Sequence, residues 1–102
     1  MKFAEALKTV LCDSEKGIDY DKTIVGKDFE LTFGLHTCAD CSLACVIYYS
    51  SHDSNYKLGK IPVENMYCGN EYVSEENLNK FLEKEYLFEN EYLFENEEVE
   101  IN

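Results

Sequence analysis

Three hydrophobic runs, separated by short polar clusters, restrict the fold of this chain more than any other feature of its sequence. In the first run, apolar residues alternate with polar or small ones, at Phe29, Leu31, Phe33 and Leu35. A two-residue period of this kind is typical of a half-buried β-strand. The second run, residues 43–49, is β-branched and aromatic, which favours a central strand. The third run, residues 56–63, contains Pro62, and the missing N–H group of proline favours an edge position.

Helical patterns lie on either side of these predicted strands. Near the N-terminus, apolar residues follow the spacing of one helix face, at Phe3, Ala6, Leu7, Val10 and Leu11. Farther along, Ser74 is a plausible N-cap, and Glu75 and Glu76 would lie favourably on the helix dipole. The polar stretch 13–28 reads as a loop with room for a short strand at residues 24–25. We therefore predict an α+β fold with an N-terminal helix, a small antiparallel sheet of three to four strands, and a C-terminal helix.

The end of the chain carries an internal repeat. Residues 85–90 and 91–96 are identical copies of Glu-Tyr-Leu-Phe-Glu-Asn. The chain of 102 residues has room for one domain, so we predict a single α+β domain over residues 1–84 and an acidic, aromatic extension over residues 85–102. Two interpretations of the repeat stay open: a recent duplication in a terminal extension, or a repeated binding element.

The charge of the chain is concentrated near this repeat. The net charge at pH 7 is −12, of which residues 1–74 contribute −4 and residues 75–102 contribute −8. A field of this sign repels nucleic acid and attracts basic proteins, so we expect no direct binding to nucleic acid. All nine basic residues are Lys, and Arg, Gln and Trp are absent. This composition resembles that of A/T-rich genomes and favours a low-GC bacterium or its phage as the source.

The repeat supplies candidate contacts for a basic, nucleic-acid-handling protein. Aromatic anchors would be Tyr86, Phe88, Tyr92 and Phe94, and substitutes for phosphates would be Glu89, Glu91, Glu95 and Glu97. An extended chain would place the four carboxylates on one face, with those two residues apart separated by roughly 6.6 Å, whereas a helix would group acids four residues apart. We therefore predict a non-enzymatic binding module, an inhibitor of the kind that phages direct against host or defence proteins. The alternative interpretation is a tail that only keeps the domain soluble.

A cluster of cysteines provides the richest local chemistry. Cys38 and Cys41 lie in the predicted hairpin turn between the first two strands and have the spacing with which two thiolates meet one zinc ion. No second pair follows at that spacing, so a site would also need Cys68 and His36 or Cys45. The alternative function is therefore a small structural domain organised by zinc at Cys38, Cys41, Cys68 and His36. Buried cysteines that act as small hydrophobic residues are the competing explanation for Cys12, Cys45 and Cys68.

The same cysteine pair allows a redox interpretation. A strand, the Cys38–Cys41 pair and Ile61-Pro62-Val63 resemble parts of the thioredoxin family, which implies a redox protein as a second alternative. That fold places about 40 residues between its cysteine pair and its proline, whereas 20 separate Cys41 from Pro62 here. The segment after Cys41 also reads as a strand, where the family has a helix.

Other features concern catalysis and location. The sequence has no phosphate-binding glycine loop and no serine-protease pattern, so we expect no enzyme and no cofactor other than a possible zinc. The odd number of five cysteines, the missing export signal and the lack of a long apolar run favour reduced thiols in the cytoplasm and no membrane association.

Overall fold

A computed structural model describes residues 1–13, 15–65, 70–83 and 98–102 of the chain. In chain order the elements are α1 (Phe3–Leu11), β1 (Ile24–Val25), β2 (Phe29–Thr37), β3 (Leu43–Ser51), β4 (Asn55–Pro62), β5 (Glu64–Asn65), β6 (Glu71–Tyr72), α2 (Glu75–Leu82) and β7 (Glu100–Ile101). The predicted α+β class is therefore confirmed.

The main sheet has five antiparallel strands in the order β4-β3-β2-β1-β7. The three long strands β2, β3 and β4 are the three predicted strands and form a meander, and β4, with Pro62 at its end, lies at the edge as expected. A bulge interrupts the pairing of β3 with β4 where Ile47 is opposite Gly59 and Tyr48 is opposite Lys57, which leaves Leu58 as the additional residue.

One face of this sheet forms the core together with both helices. Because β2 and β3 pair in register, Phe33 is opposite Ile47 in the core, whereas Leu35, opposite the buried Cys45, is exposed. The buried side chains of α1 are Phe3, Ala6, Leu7, Val10 and Leu11, as the spacing predicts. They form a single hydrophobic cluster with alternate residues of the strands and with Leu78 and Phe81 of α2. The amphipathic patterns of helix and strand therefore meet in one core.

Helix α2 begins where its sequence predicts. The Ser74 hydroxyl accepts a hydrogen bond from the Asn77 N–H at 3.2 Å and so caps the helix. The Lys8 ammonium of α1 pairs with the Glu75 carboxylate at 3.0 Å, and this carboxylate raises the pKa of Lys8. The Lys8–Glu75 pair therefore links the two helices at the surface of the protein.

The number of strands and the last element differ from the prediction. The sequence predicts three to four strands, whereas the described residues form five in the main sheet and a separate two-stranded ribbon of β5 and β6. The helix α2 is followed by β7, which pairs with β1 at Ile24–Ile101 and Val25–Glu100. Strands of two residues are too short to give a detectable period, so tertiary pairing rather than local pattern defines them.

Candidate functional site

The predicted partner-binding residues lie outside the part of the chain that the structure describes. These residues are Tyr86, Phe88, Glu89, Glu91, Tyr92, Phe94, Glu95 and Glu97. The elements on either side of them are described. Phe81, in the last turn of α2, is buried, and so is Val99, just before β7. The acidic, aromatic repeat therefore connects two parts of the chain that both enter the core.

The chain after the repeat is held by both polar and apolar contacts. The N-terminal ammonium of Met1 donates to a carboxylate oxygen of Glu98 and to the carbonyl oxygen of Val99, each at 3.0 Å. The Val99 N–H donates back to the Met1 carbonyl at 2.9 Å. Hydrogen bonding from the ammonium, and then its charge, lower the pKa of Glu98. Asn102 exchanges two backbone hydrogen bonds with Thr23, at 2.8 and 3.0 Å, next to the strand pair of β7 with β1. The chain after the repeat is therefore held by the N-terminus at residues 98 and 99 and by the sheet at β7.

The cysteine pair lies on the tight turn between β2 and β3. The Cys41 N–H donates to the Cys38 carbonyl at 2.9 Å, and the Cys38 N–H donates to the Ser42 carbonyl at 2.8 Å. Cys41 has a φ of 69°, the left-handed conformation that closes a three-residue hairpin loop and that usually requires glycine. The position of this pair in a hairpin turn agrees with the sequence prediction.

Asp40 stabilises the same turn. One of its carboxylate oxygens accepts hydrogen bonds from the Ser42 hydroxyl at 2.6 Å and from the Ser42 N–H at 3.0 Å. These two bonds, the hydroxyl first, lower the pKa of Asp40. The turn is thus fixed by side-chain as well as backbone hydrogen bonds, and this holds Cys38 and Cys41 in a defined relation.

A surface cavity of about 610 Å³ adjoins the turn. It is lined by Cys38, Cys41, Ser42, Leu43, Ala44, Lys60, Pro62 and Val63. Cys41 is exposed and Cys38 is half-buried. The cavity lies between the turn and the end of the edge strand β4, where small molecules can reach both cysteines.

The other predicted zinc ligands occupy different environments. His36 is exposed on β2 opposite Ala44, and Cys68 lies outside the described residues. Cys45 is fully buried in the hydrophobic core, and burial raises the pKa of its thiol to about 12. Cys12 is half-buried against the same core. Across the ranges that the structure describes, no group of three or more Cys, His, Asp or Glu residues is arranged to hold a metal ion.

A second cavity, which the sequence does not reveal, is formed by the loop after α1. Its volume is about 580 Å³, and the side chains around it include Asp13, Asp19 and Asp21. Asp13 accepts hydrogen bonds from the N–H groups of Glu15 and Lys16, and Asp19 accepts one from Asp21. Two of these three carboxylates therefore stabilise turns within the loop, the usual role of Asp at such positions.

Tyr20 also borders this second cavity. Its hydroxyl group is buried and has no hydrogen-bond partner within the described ranges. Burial, followed by smaller contributions from Cys45 and Glu71, raises the pKa of Tyr20 to about 12. The phenol therefore stays protonated at neutral pH.

Comparison of the chain with protein-family models, with curated proteins and with solved structures found no match. Neither α1 nor α2, the helices of the described chain, has the length and hydrophobicity that crossing a bilayer requires.

Proposed function

We propose that this protein is a non-enzymatic binding module that occupies a basic, nucleic-acid-handling surface of another protein. Its acidic, aromatic repeat is the contact element, with the carboxylates in place of phosphates and the aromatic rings as anchors. The proposed setting is the cytoplasm of a low-GC bacterium, where the protein acts as a phage-type inhibitor of a host or defence protein.

The first support for this proposal is the distribution of charge. The described residues carry sixteen acidic side chains and eight lysines, and residues 84–97 add five acids and one lysine. The ion pairs observed among the described residues engage Glu75, Glu76 and Glu98. A negative field over the whole molecule accelerates encounter with a basic partner and excludes nucleic acid from the same surface.

The observation that carries the proposal is that the repeat is joined to the core at both of its ends. On the N-terminal side, Phe81 is 2% exposed; on the C-terminal side, Val99 is 2% exposed and Glu98 pairs with the N-terminus. A segment fixed at two points samples fewer positions than a free tail of the same length. It therefore loses less conformational entropy when a partner binds it.

The aromatic residues of the repeat supply what charge alone does not. Electrostatic attraction raises the association rate but is screened by salt, whereas buried aromatic side chains provide most of the lasting affinity at interfaces. Each hexapeptide copy combines Tyr, Leu and Phe with two acids. The repeat thus combines carboxylates that resemble phosphates with aromatic side chains that would slow the dissociation of a bound partner.

A matched pair of charge variants tests this proposal. The first replaces Glu89, Glu91, Glu95 and Glu97 by Gln. The control replaces Glu5, Asp28, Asp53 and Glu64, which are exposed in the described structure, by the corresponding amides. Both variants have the same net charge, four units less negative than the natural chain, so any difference between them reports the position of the charges.

The assay is capture of proteins from a low-GC bacterial lysate on the immobilised chain, followed by elution with double-stranded DNA. We expect a DNA-displaceable partner that binds the control variant like the natural chain. The loss of four ion pairs with the partner, at about 0.5 kcal/mol each, corresponds to an affinity about 30-fold lower for the repeat variant. Equal affinities for the two variants, or partners that DNA does not displace, would contradict the proposal.

One observation favours a second candidate function, a structural domain organised by zinc. Cys38 and Cys41 line one cavity on the hairpin turn, as two ligands of a tetrahedral site would. The site would be completed by Cys68 and His36. Native mass spectrometry tests this candidate: one zinc ion per chain that is lost in Cys68→Ser but kept in Cys12→Ser supports it, and a folded chain without metal contradicts it.

A further inference from the structure

We infer that Cys38 and Cys41 form a reversible dithiol–disulfide pair, so that the β2–β3 turn is a site of oxidation by small disulfides. The inference is independent of the proposed binding function, since it concerns the β2–β3 turn and not the repeat. It rests on the geometry of the turn, on the different exposure of the cysteines and on the cavity beside them.

The geometry of the turn satisfies the main requirement of a disulfide. Cys38 and Cys41 occupy the first and fourth positions of a β-turn closed by the hydrogen bond from the Cys41 N–H to the Cys38 carbonyl, at 2.9 Å. The Cα atoms at these positions of a β-turn are less than about 7 Å apart. Disulfides join Cα atoms that are roughly 4.4–6.8 Å apart. The backbone therefore does not need to open for the two sulfur atoms to bond.

Exposure assigns different roles to the two cysteines. Cys41 is exposed and Cys38 is half-buried, and both border the cavity of about 610 Å³. Pockets of roughly 300–1,000 Å³ accommodate small ligands, so a molecule such as oxidised glutathione has room beside the turn. The more accessible thiol, that of Cys41, is the attacking group, and that of Cys38 completes the reaction.

The chemistry proceeds by two thiol–disulfide exchanges. The Cys41 thiolate attacks one sulfur of oxidised glutathione, the S–S bond of glutathione breaks, and one reduced glutathione leaves with a proton. The Cys38 thiolate then attacks the Cys41 sulfur of the mixed disulfide and releases the second reduced glutathione. Two protein thiols are oxidised to one disulfide, and one molecule of oxidised glutathione is reduced to two thiols.

The other described cysteines do not compete for this reaction. Cys45 is fully buried, and its elevated pKa of about 12 keeps the thiol protonated. Cys12 packs against the hydrophobic core at the end of α1. The structure thus separates the reactive pair on the turn from thiols that act as apolar side chains.

Equilibration of the full chain with glutathione redox buffers tests the inference, with alkylation of the remaining thiols and mass spectrometry as the readout. Cleavage on the N-terminal side of Asp40 after unfolding separates Cys38 from Cys41, so the two fragments stay linked only through a disulfide from Cys38. The fragment with Cys41 also contains Cys45, and alkylation of Cys45 in the linked product identifies Cys41 as the partner. We expect these linked fragments and two fewer alkylated thiols. Cys38→Ser should stop with one glutathione on Cys41, and Cys68→Ser should react like the natural chain.

A comparison with the unfolded chain separates the structural effect from simple proximity in sequence. Because the folded turn already holds the two cysteines together, we expect the equilibrium constant for the disulfide to be at least tenfold larger in buffer than in concentrated urea. Equal constants, linkage of Cys38 or Cys41 to Cys12 or Cys68, or glutathione on both cysteines without an internal disulfide would overturn the inference. If a serine variant fails to fold, the natural chain can be titrated with phenylarsine oxide, which bridges two close thiols. One equivalent bound at Cys38 and Cys41 supports the inference, and no binding at this pair refutes it.

Discussion

Replacing Val99 by Ala tests whether the end of the chain is an integral part of the fold. Val99 is 2% exposed, belongs to the core cluster and exchanges backbone hydrogen bonds with Met1. The substitution removes two methyl groups, at about 0.8 kcal/mol each for their transfer to water. The cavity that remains adds to this loss. We therefore expect the free energy of unfolding to fall by about 2 kcal/mol.

Urea denaturation followed by circular dichroism measures this change, and Glu100→Ala is the control. Glu100 is the next residue but is exposed, so its replacement should change the free energy of unfolding by less than about 0.5 kcal/mol. A loss of about 2 kcal/mol corresponds to a fall in Tm of roughly 8–16 °C for a domain of this size. If Val99→Ala and Glu100→Ala have the same stability, residues 98–102 contribute nothing to the core and the reasoning is refuted.

Three further predictions concern single groups. Tyr20→Phe should raise the free energy of unfolding by about 1 kcal/mol, since the buried hydroxyl that it removes has no partner within the described ranges. A lower free energy of unfolding in urea denaturation would contradict this. Cys41→Gly should also raise it, by about 1 kcal/mol, because Cys41 has a positive φ, whereas Ala39→Gly in the same turn should not. Acetylation of the N-terminus should raise the pKa of Glu98 in an NMR titration, since the ammonium lowers it in the folded chain. The stability from this ion pair is therefore present above the ordinary carboxyl pKa and lost as the pH falls, and acetylation should weaken this dependence; an unchanged titration would contradict the observed pairing.

The sequence predicts the helices and the long strands because their patterns are long enough to repeat. α1 shows five apolar residues at helical spacing, and all five are buried. β2 alternates through Phe29, Leu31 and Phe33, and these three side chains enter the core. Ser74 was identifiable because capping depends on one side chain and its local backbone. In each case, the local signal and the tertiary environment agree.

The end of the chain was not predicted, although a weak signal is present. Val99 and Ile101 alternate with Glu98 and Glu100, which is the period of a strand. Four residues with two acids are too few to distinguish a strand from an acidic tail. The partner of β7 is β1, 77 positions earlier at Ile24–Ile101, so the local sequence does not reveal this pairing.

The candidate turn was located correctly, but its backbone was not predictable from composition. The left-handed conformation at Cys41 normally requires Gly or Asn. A cysteine there gives no sequence signal for the hairpin loop that it closes. Cys45 and Cys41 differ because Cys45 lies in β3, where residues 44–47 are all buried, whereas Cys41 lies in the turn before this strand and is exposed.

The burial of Phe81 before the repeat and of Val99 after it also changes how the repeat should be interpreted. Residues 84–97 are 14 residues between two core elements, and removal of one six-residue copy would leave eight. By the loop-closure relation, this shortening changes the free energy of folding by only about 0.5 kcal/mol. We therefore expect a chain with one copy to fold with nearly the same stability as the natural chain. Binding is the property that separates a neutral duplication from a selected repeat: the one-copy chain should unfold at nearly the same urea concentration, and its affinity for a basic partner measures what the second copy contributes.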